Sequence, residues 1–113
     1  MDEGCIFCKI ARGEIHAQMV MNSKEIAAFR DLNPQAPTHI LIIPKKHLGS
    51  LDDSNDSRLL GEMLSLAAAI ARQEKIAKSG YRVVINNGKD AGQSVAHLHL
   101  HVLGGREMTW PPG

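Results

Sequence analysis

The stretch of sequence that decides the fold is His97-Leu98-His99-Leu100-His101-Val102-Leu103. Successive side chains of a β-strand point to opposite faces, so the three histidines share one face and the alternating apolar residues share the other. This period-two pattern begins at Val95 and stops before Gly104-Gly105, which predicts a strand over residues 95–103. One face of the strand is therefore expected to pack, while the other is available for chemistry.

The rest of the chain predicts an α+β fold with five strands in an antiparallel sheet. Short strands are predicted at 18–21 and 25–31, joined as a hairpin, and at 81–86, and a fully buried strand is predicted at 39–43 before Pro44. A short helix is predicted over 5–12, and a 3.6-residue apolar period predicts one long helix over about 58–78. Loops are predicted at 32–37, which holds two prolines, and at the glycine-rich stretch 87–93. The tail 110–113 is expected to lack regular structure.

Length and composition point to one soluble domain. The chain has 113 residues with 43% hydrophobic and 22% charged residues, which is ordinary globular composition. A net charge of +1 and only four aromatic residues argue against nucleic acid or a membrane surface as partner. Two cysteines and no stretch of 18 apolar residues favour a cytoplasmic protein.

The histidine face has three interpretations. The first is the polar side of an edge strand, the second is a metal site, and the third is a nucleophilic centre. Imidazole is a common metal ligand, but this stretch holds no carboxylate or thiolate that would complete such a site. A neutral imidazole also attacks phosphorus to give an intermediate that water can hydrolyse. The preceding loop with Gly92, Gln93 and Ser94 offers amide groups and a hydroxyl to phosphate oxygens.

The pattern resembles the signature of the histidine triad (HIT) superfamily, in which three histidines alternate with apolar residues. The resemblance extends through 31–39, 43–47, 92–95 and 104–106 to Trp110-Pro111-Pro112-Gly113, and the chain looks like the nucleotide-binding HINT branch, because these separated segments agree in order and spacing. It implies a single HIT domain over 1–113 with one long helix and a short N-terminal helix. It also implies a homodimer with a continuous larger sheet, in which the tail 105–113 reaches the partner.

The resemblance further implies an enzyme that cleaves the P–N bond of purine nucleoside 5′-phosphoramidates to a nucleoside monophosphate and an amine. His99 corresponds to the nucleophile that becomes nucleotidylated, and His39, His97, His101 and Ser94 to the groups that assist it. Residues implied in substrate binding are Asp31, Leu32, Asn86, Gly92, Gln93, Phe7, Ile10, Ile15, Phe29 and Trp110. Two alternatives remain, a nucleotide-binding regulatory or scaffold protein and a diadenosine polyphosphate hydrolase.

Cys5 and Cys8 supply half of a tetrahedral zinc site. Resemblance to bacterial relatives with the same pair suggests His47 and His97 as the other ligands, and the zinc would then be structural, with no cofactor required for catalysis. The alternative is that both cysteines are small buried hydrophobes. The sequence assigns no role to His16.

Overall fold

The computed structural model describes residues 4–113 and is organised around one five-stranded antiparallel sheet with the strand order β1-β2-β3-β5-β4. The strands are β1 (Met19–Asn22), β2 (Ile26–Arg30), β3 (Thr38–Pro44), β4 (Tyr81–Val84) and β5 (Leu100–Gly104). Two helices accompany the sheet, α1 (Ile6–Ala11) and α2 (Ser57–Gln73), together with a short 3₁₀ turn at Leu51–Asp53. The α+β fold, the five antiparallel strands and the two helices are confirmed.

Both faces of the sheet are covered, because the central strands bury side chains on either side. On one face, Ile40 and Ile42 of β3 pack with Met63 and Ile70 of α2. On the other face, Leu41 and Ile43 pack with Phe7 and Ile10 of α1 and with Phe29 of β2. Every residue of β3 is buried, as its continuous apolar run predicts.

The last strand is shorter than predicted, since β5 begins at Leu100 and not at residue 95. Its ladder with β3 runs from Thr38↔Gly104 to Ile42↔Leu100 and stops two residues before Pro44. Proline has no N–H to donate, and the Pro44 carbonyl is taken by the ring of His97 at 2.8 Å. The side-chain alternation nevertheless continues, because Leu98, Leu100 and Val102 all lie in the core beneath α2.

The long helix also ends earlier than predicted, at Gln73 and not near residue 78. Lys75 has a φ of 63°, and the N–H of Ile76 donates to the carbonyl of Ala71 at 3.0 Å while that of Lys75 donates to Arg72 at 3.1 Å. This pair of bonds is a Schellman motif, which closes a helix and turns the next apolar residue inward. Ile76 is accordingly buried. At the other end, Asp56 caps the helix by accepting from the N–H of Leu59 at 3.1 Å.

The tail 110–113 has no regular structure, as predicted, and Trp110 is 82% exposed in the single chain. Neither helix among residues 4–113 combines the length and apolar character needed to cross a bilayer.

Candidate active site

A cavity of about 410 Å³ opens between α1 and the sheet. Ten of the residues predicted to act in catalysis or substrate binding line this cavity: Phe7, Ile10, Ile15, Phe29, Asp31, Leu32, His39, Ser94, His99 and His101. The apolar members come from α1, the segment that follows it, β2 and the loop after β2, whereas the histidines come from β3 and from the 97–101 stretch. The cavity therefore joins an apolar slot to a polar, imidazole-rich end.

A hydrogen bond to the main chain sets the tautomer of His99, which lines this cavity. Its Nδ1 lies 2.7 Å from the main-chain carbonyl of His97, and a carbonyl only accepts, so Nδ1 carries the proton. In the neutral ring, Nε2 then keeps its lone pair. His99 is 4% exposed, and the Phe7 ring packs edge-on against its ring with centroids 5.1 Å apart. A buried, oriented imidazole with a free lone pair is suited to nucleophilic attack.

A hydrogen-bonded chain links His39 to His101. The N–H of Gln35 donates to Nδ1 of His39 at 3.0 Å, which leaves the proton of the neutral His39 ring on Nε2. That Nε2 lies 2.9 Å from Nδ1 of His101 and 3.4 Å from the carboxylate of Asp31. His101 accepts at Nδ1, so the neutral ring carries its own proton on Nε2, where it can be donated.

Asp31, His39 and His101 are also close enough together to be considered as metal ligands. The nitrogen that would have to ligate, Nε2 of His39, is the one that carries the proton, because Nδ1 accepts from the Gln35 amide. The donor chain therefore favours proton sharing over metal binding at this point.

Burial sets the protonation of these rings. It lowers the pKa of His39 below its ordinary value, with the Asp31 carboxylate opposing the shift. Burial, followed by the neighbouring His99 and His39 rings, lowers the pKa of His101 to about 4, again against the pull of Asp31. Both rings are therefore neutral near pH 7.

The His97 ring points away from the cavity and into a second cluster. Its Nε2 lies 2.8 Å from the Pro44 carbonyl, so it donates there and leaves a lone pair on Nδ1. That Nδ1 lies 3.3 Å from Sγ of Cys5, 3.5 Å from Sγ of Cys8 and 3.2 Å from Nδ1 of His47. The three histidine side chains of the triad thus do not converge on one point. His97 contributes to the His99 site through its main-chain carbonyl.

The second cluster has the donor set of a structural metal site. The two thiols and two imidazoles of Cys5, Cys8, His47 and His97 place one ligand atom each within 4.8 Å of one another. Tetrahedral zinc with ordinary bond lengths separates its ligand atoms by about 3.3–3.8 Å. Sγ of Cys8 lies 3.2 Å from Nδ1 of His47, close to that separation. The ligand set suggested by the family resemblance is therefore brought together by the fold, and its residues fit zinc.

Four of the nominated binding residues do not line the cavity: Asn86, Gly92, Gln93 and Trp110. The Gln93 side chain is used within its loop, accepting from the N–H of Gly88 at 2.9 Å and donating to the carbonyls of Gly49 and Val95 at 2.7 and 3.0 Å. It therefore shapes the chain that leads into Ser94.

The sequence missed His16, whose exposed side chain lines the cavity. The N–H of Arg30 donates to the carbonyl of Gln18 at 3.0 Å, so the pairing of β1 with β2 continues past the strand ends. Extending this antiparallel register places His16 beside the residues that follow β2, where Asp31 and Leu32 lie. Extending the pairing of the predicted hairpin beyond its strand ends would have identified His16 as a residue of the site. Arg30 also lines the cavity, but Glu74 holds its guanidinium at 2.9 and 3.0 Å.

Comparison with known proteins agrees with this geometry. Residues 12–108 match the HIT domain family. The chain is 46% identical to the purine nucleoside phosphoramidase of Escherichia coli, over 96% of this chain and 92% of that protein. It is 48% identical to a "14 kDa zinc-binding protein" of Zea mays, over 99% and 90% of the two chains.

Among solved structures, a HIT family hydrolase from Legionella pneumophila superposes with a TM-score of 0.95 at 55% identity, covering 97% of this chain and all of that one. A histidine triad protein from Clostridium difficile gives a TM-score of 0.91 at 43% identity, covering 95% of each chain. The chain therefore belongs to the HIT domain family and has the character of its HINT-like branch.

Proposed function

We propose that this protein hydrolyses the P–N bond of purine nucleoside 5′-phosphoramidates through a covalent nucleotidyl intermediate on His99. The observation that carries the proposal is the 2.7 Å hydrogen bond from Nδ1 of His99 to the His97 carbonyl, which leaves the Nε2 lone pair available inside the cavity. The identity to a relative named purine nucleoside phosphoramidase supports the same reaction.

In the first step, Nε2 of His99 forms a bond to phosphorus as the P–N bond to the amine breaks. The amine leaves with the electron pair of that bond and takes one proton, for which His101 is the proposed donor: the phosphate anion of the bound substrate favours the protonated ring, which returns to its neutral form when the proton passes to the amine. In the second step, water attacks phosphorus, and the electron pair of the bond to His99 returns to Nε2. The proton released by the water restores the histidine network, so the net reaction consumes one water.

The cavity supplies a place for each part of the substrate. The apolar wall of Phe7, Ile10 and Phe29 suits a purine ring, and Asp31 at the rim offers carboxylate oxygens to ribose hydroxyls. Ser94 is the one residue of the 92–94 stretch that lines the cavity, which supports a role for its hydroxyl at the phosphate. Gly92, Gln93 and Asn86 are proposed to act from beside the phosphate.

A second copy of the chain is proposed to complete the site. Arg82 donates to the Thr109 carbonyl at 2.9 Å, and Arg106 donates to the Gln35 carbonyl at 2.9 Å, so the tail is fastened beside the sheet and the cavity rim. The exposed Trp110 that follows is then presented outward. This supports the prediction of a homodimer whose tails reach the partner's cavity.

We also propose that Cys5, Cys8, His47 and His97 hold a structural Zn²⁺. The hydrogen bond from Nε2 of His97 to the Pro44 carbonyl fixes the tautomer whose Nδ1 can ligate, as outer partners of metal-bound histidines commonly do. When bound, the ion would tie the start of the chain to the sheet. No cofactor is assigned to the reaction itself.

The proposed reaction is tested by quenching the protein during turnover of adenosine 5′-phosphoramidate and measuring the mass of the peptide that contains His99. An adenylyl group on His99, absent from the His99→Asn variant, is expected. Lys78→Ala, an exposed change remote from the cavity, serves as the matched control and should form the adduct normally. Nucleotide binding without an adduct or turnover would favour a regulatory or scaffold protein. Faster cleavage of diadenosine polyphosphates than of the phosphoramidate would favour a diadenosine polyphosphate hydrolase.

A further inference from the structure

His97 belongs to both centres of the protein. Its Nδ1 faces the thiols of Cys5 and Cys8, and its main-chain carbonyl holds Nδ1 of His99 at 2.7 Å. The ring is 0% exposed and cannot shift without moving its neighbours. The ring that faces the cysteines and the carbonyl that orients the nucleophile thus belong to one tightly packed residue.

Helix α1 provides a second connection. Cys5 caps α1, accepting from the N–H of Cys8 at 3.4 Å, and Cys8 lies within the helix. Between them is Phe7, whose ring meets His99 edge-on at 5.1 Å and His97 at 5.9 Å. Phe7 and Ile10 also form the apolar wall of the cavity. The two cysteines that would ligate the metal therefore flank Phe7, which belongs to the apolar wall and packs against the ring of His99.

We propose that metal occupancy of the cluster formed by Cys5, Cys8, His47 and His97 positions His99 and the apolar wall, so that metal and nucleotide binding favour each other. Cys8 and His47 are then positioning residues for the reaction, acting through His97 and Phe7. The proposal rests on the proposed function for its nucleotide half, while its effect on the His99 ring is independent of any substrate.

The physical basis is the difference between metal–ligand bonds and the contacts that replace them. With a metal ion bound, four coordinate bonds fix the His97 ring and the first turn of α1 together. The sulfur–imidazole contacts of 3.2–3.5 Å among these atoms would by themselves hold the groups less firmly, since thiols are weak hydrogen-bonding groups. Because coupling between two bound ligands is reciprocal, AMP must raise the affinity for Zn²⁺ by the same factor that Zn²⁺ raises the affinity for AMP.

The first test compares the ¹⁵N chemical shifts of the His99 ring in chelator-treated and Zn²⁺-loaded protein at one pH. The loaded protein is expected to show a single tautomer with the proton on Nδ1. The metal-free protein is expected to show shifted and broadened His99 ring signals, because the His97 carbonyl and the Phe7 ring that hold this side chain are less firmly fixed. Cys5→Ser keeps the helix cap, since serine is a favoured capping residue, but removes one thiolate. This variant should remain folded and give the metal-free pattern at zinc concentrations that saturate the wild type.

The second test measures Zn²⁺ affinity by competition with a chromogenic chelator, with and without saturating AMP, and AMP affinity with and without Zn²⁺. Both should change by the same factor, within the range of about 5–150-fold that couplings between sites usually show. Ile70→Val is the matched control, because it weakens the core on the opposite face of the sheet and leaves the cluster intact. It should lower thermal stability and leave the His99 shifts and both affinities unchanged.

Identical His99 shifts in the loaded and metal-free proteins, with AMP affinity independent of Zn²⁺, would overturn the coupling even if the reaction is confirmed. Failure to bind Zn²⁺ would overturn it as well. If no form of the protein binds AMP, the proposed function fails, and the His99 shifts alone decide the inference.

Discussion

His39 and His101 share a hydrogen bond of 2.9 Å between Nε2 and Nδ1, although they lie 62 residues apart in the chain. β3 and β5 make the contact possible, since their antiparallel register sets Leu41 opposite His101 and His39 two residues away on the same face. The bond fixes which nitrogen of the neutral His101 ring carries the proton, and therefore which nitrogen can take part in proton transfer to a substrate.

His101→Gln is expected to affect substrates according to their leaving group. An amine must be protonated to leave, so adenosine 5′-phosphoramidate with an alkylamine should lose about 10²–10⁴-fold in kcat. The p-nitrophenyl ester of AMP releases a stable phenolate and should lose much less. Steady-state rates on the two substrates check this, and an equal loss on both would assign His101 to binding.

The depressed pKa of His101 predicts acid sensitivity of the fold. Its value falls from the ordinary 6.5 to about 4 on folding, chiefly through burial, so the unfolded chain binds the extra proton first. The contribution to stability is complete above pH 6.5 and is lost progressively as the pH falls towards 4. Denaturant melts with a chelator present should show a shallower acid loss in His101→Asn than in the wild type. Parallel curves would mean that His101 is not the group responsible.

Asp31→Asn is expected to weaken nucleotide binding through the ribose. Oδ1 of Asp31 is occupied by the N–H of Asn33 at 2.8 Å, while the second oxygen faces His39 at 3.4 Å and the cavity. Losing a charged hydrogen bond of about 1.5–3 kcal/mol should raise the Kd for AMP about 10- to 100-fold. The 2′,3′-dideoxy nucleotide has no hydroxyl to lose, so the variant and the wild type should bind it alike in a calorimetric titration.

Two glycines of the fold should respond oppositely to alanine. A Cβ on Gly104 would lie 2.5 Å from Cδ1 of Ile76, so Gly104→Ala should destabilise the protein by about 1–3 kcal/mol. Gly61 is an exposed residue inside α2 with open space around it, and Gly61→Ala should stabilise by about 1 kcal/mol. Thermal melts check both. Part of the Gly104 loss should be recovered in an Ile76→Val background, which removes the clashing methyl group.

Zinc is expected to bind once per chain and to stabilise the fold. At a free concentration of 1,000 times its Kd, the ion should add about 4 kcal/mol to the free energy of unfolding. Cys8→Ser removes a buried ligand and should abolish the gain, whereas Ser23→Ala, in the exposed turn between β1 and β2, should keep it. Metal analysis of protein purified without chelator gives the stoichiometry, and a zinc content far below one per chain contradicts the site.

Local patterns predicted the main elements, and their errors lie where a tertiary contact intervened. The apolar period of α2 continues to Ile76, yet the helix ends at Gln73 because Lys75 takes a left-handed conformation that turns Ile76 against Gly104. The period-two stretch begins at Val95, yet pairing starts at Leu100 because Pro44 ends the usable part of β3. Neither event is visible within the window of residues that sets the period.

The sequence by itself determined which face of the 97–103 stretch carries histidines and which carries leucine and valine, because side-chain alternation depends only on neighbouring residues. It also determined the amphipathic helix and the family, through motifs whose order and spacing are local. Only the tertiary structure decided that the His97 ring joins Cys5, 92 residues away, while His99 and His101 face the cavity. Which nitrogen carries a proton depends on the partner that each ring meets, and those partners come from distant parts of the chain.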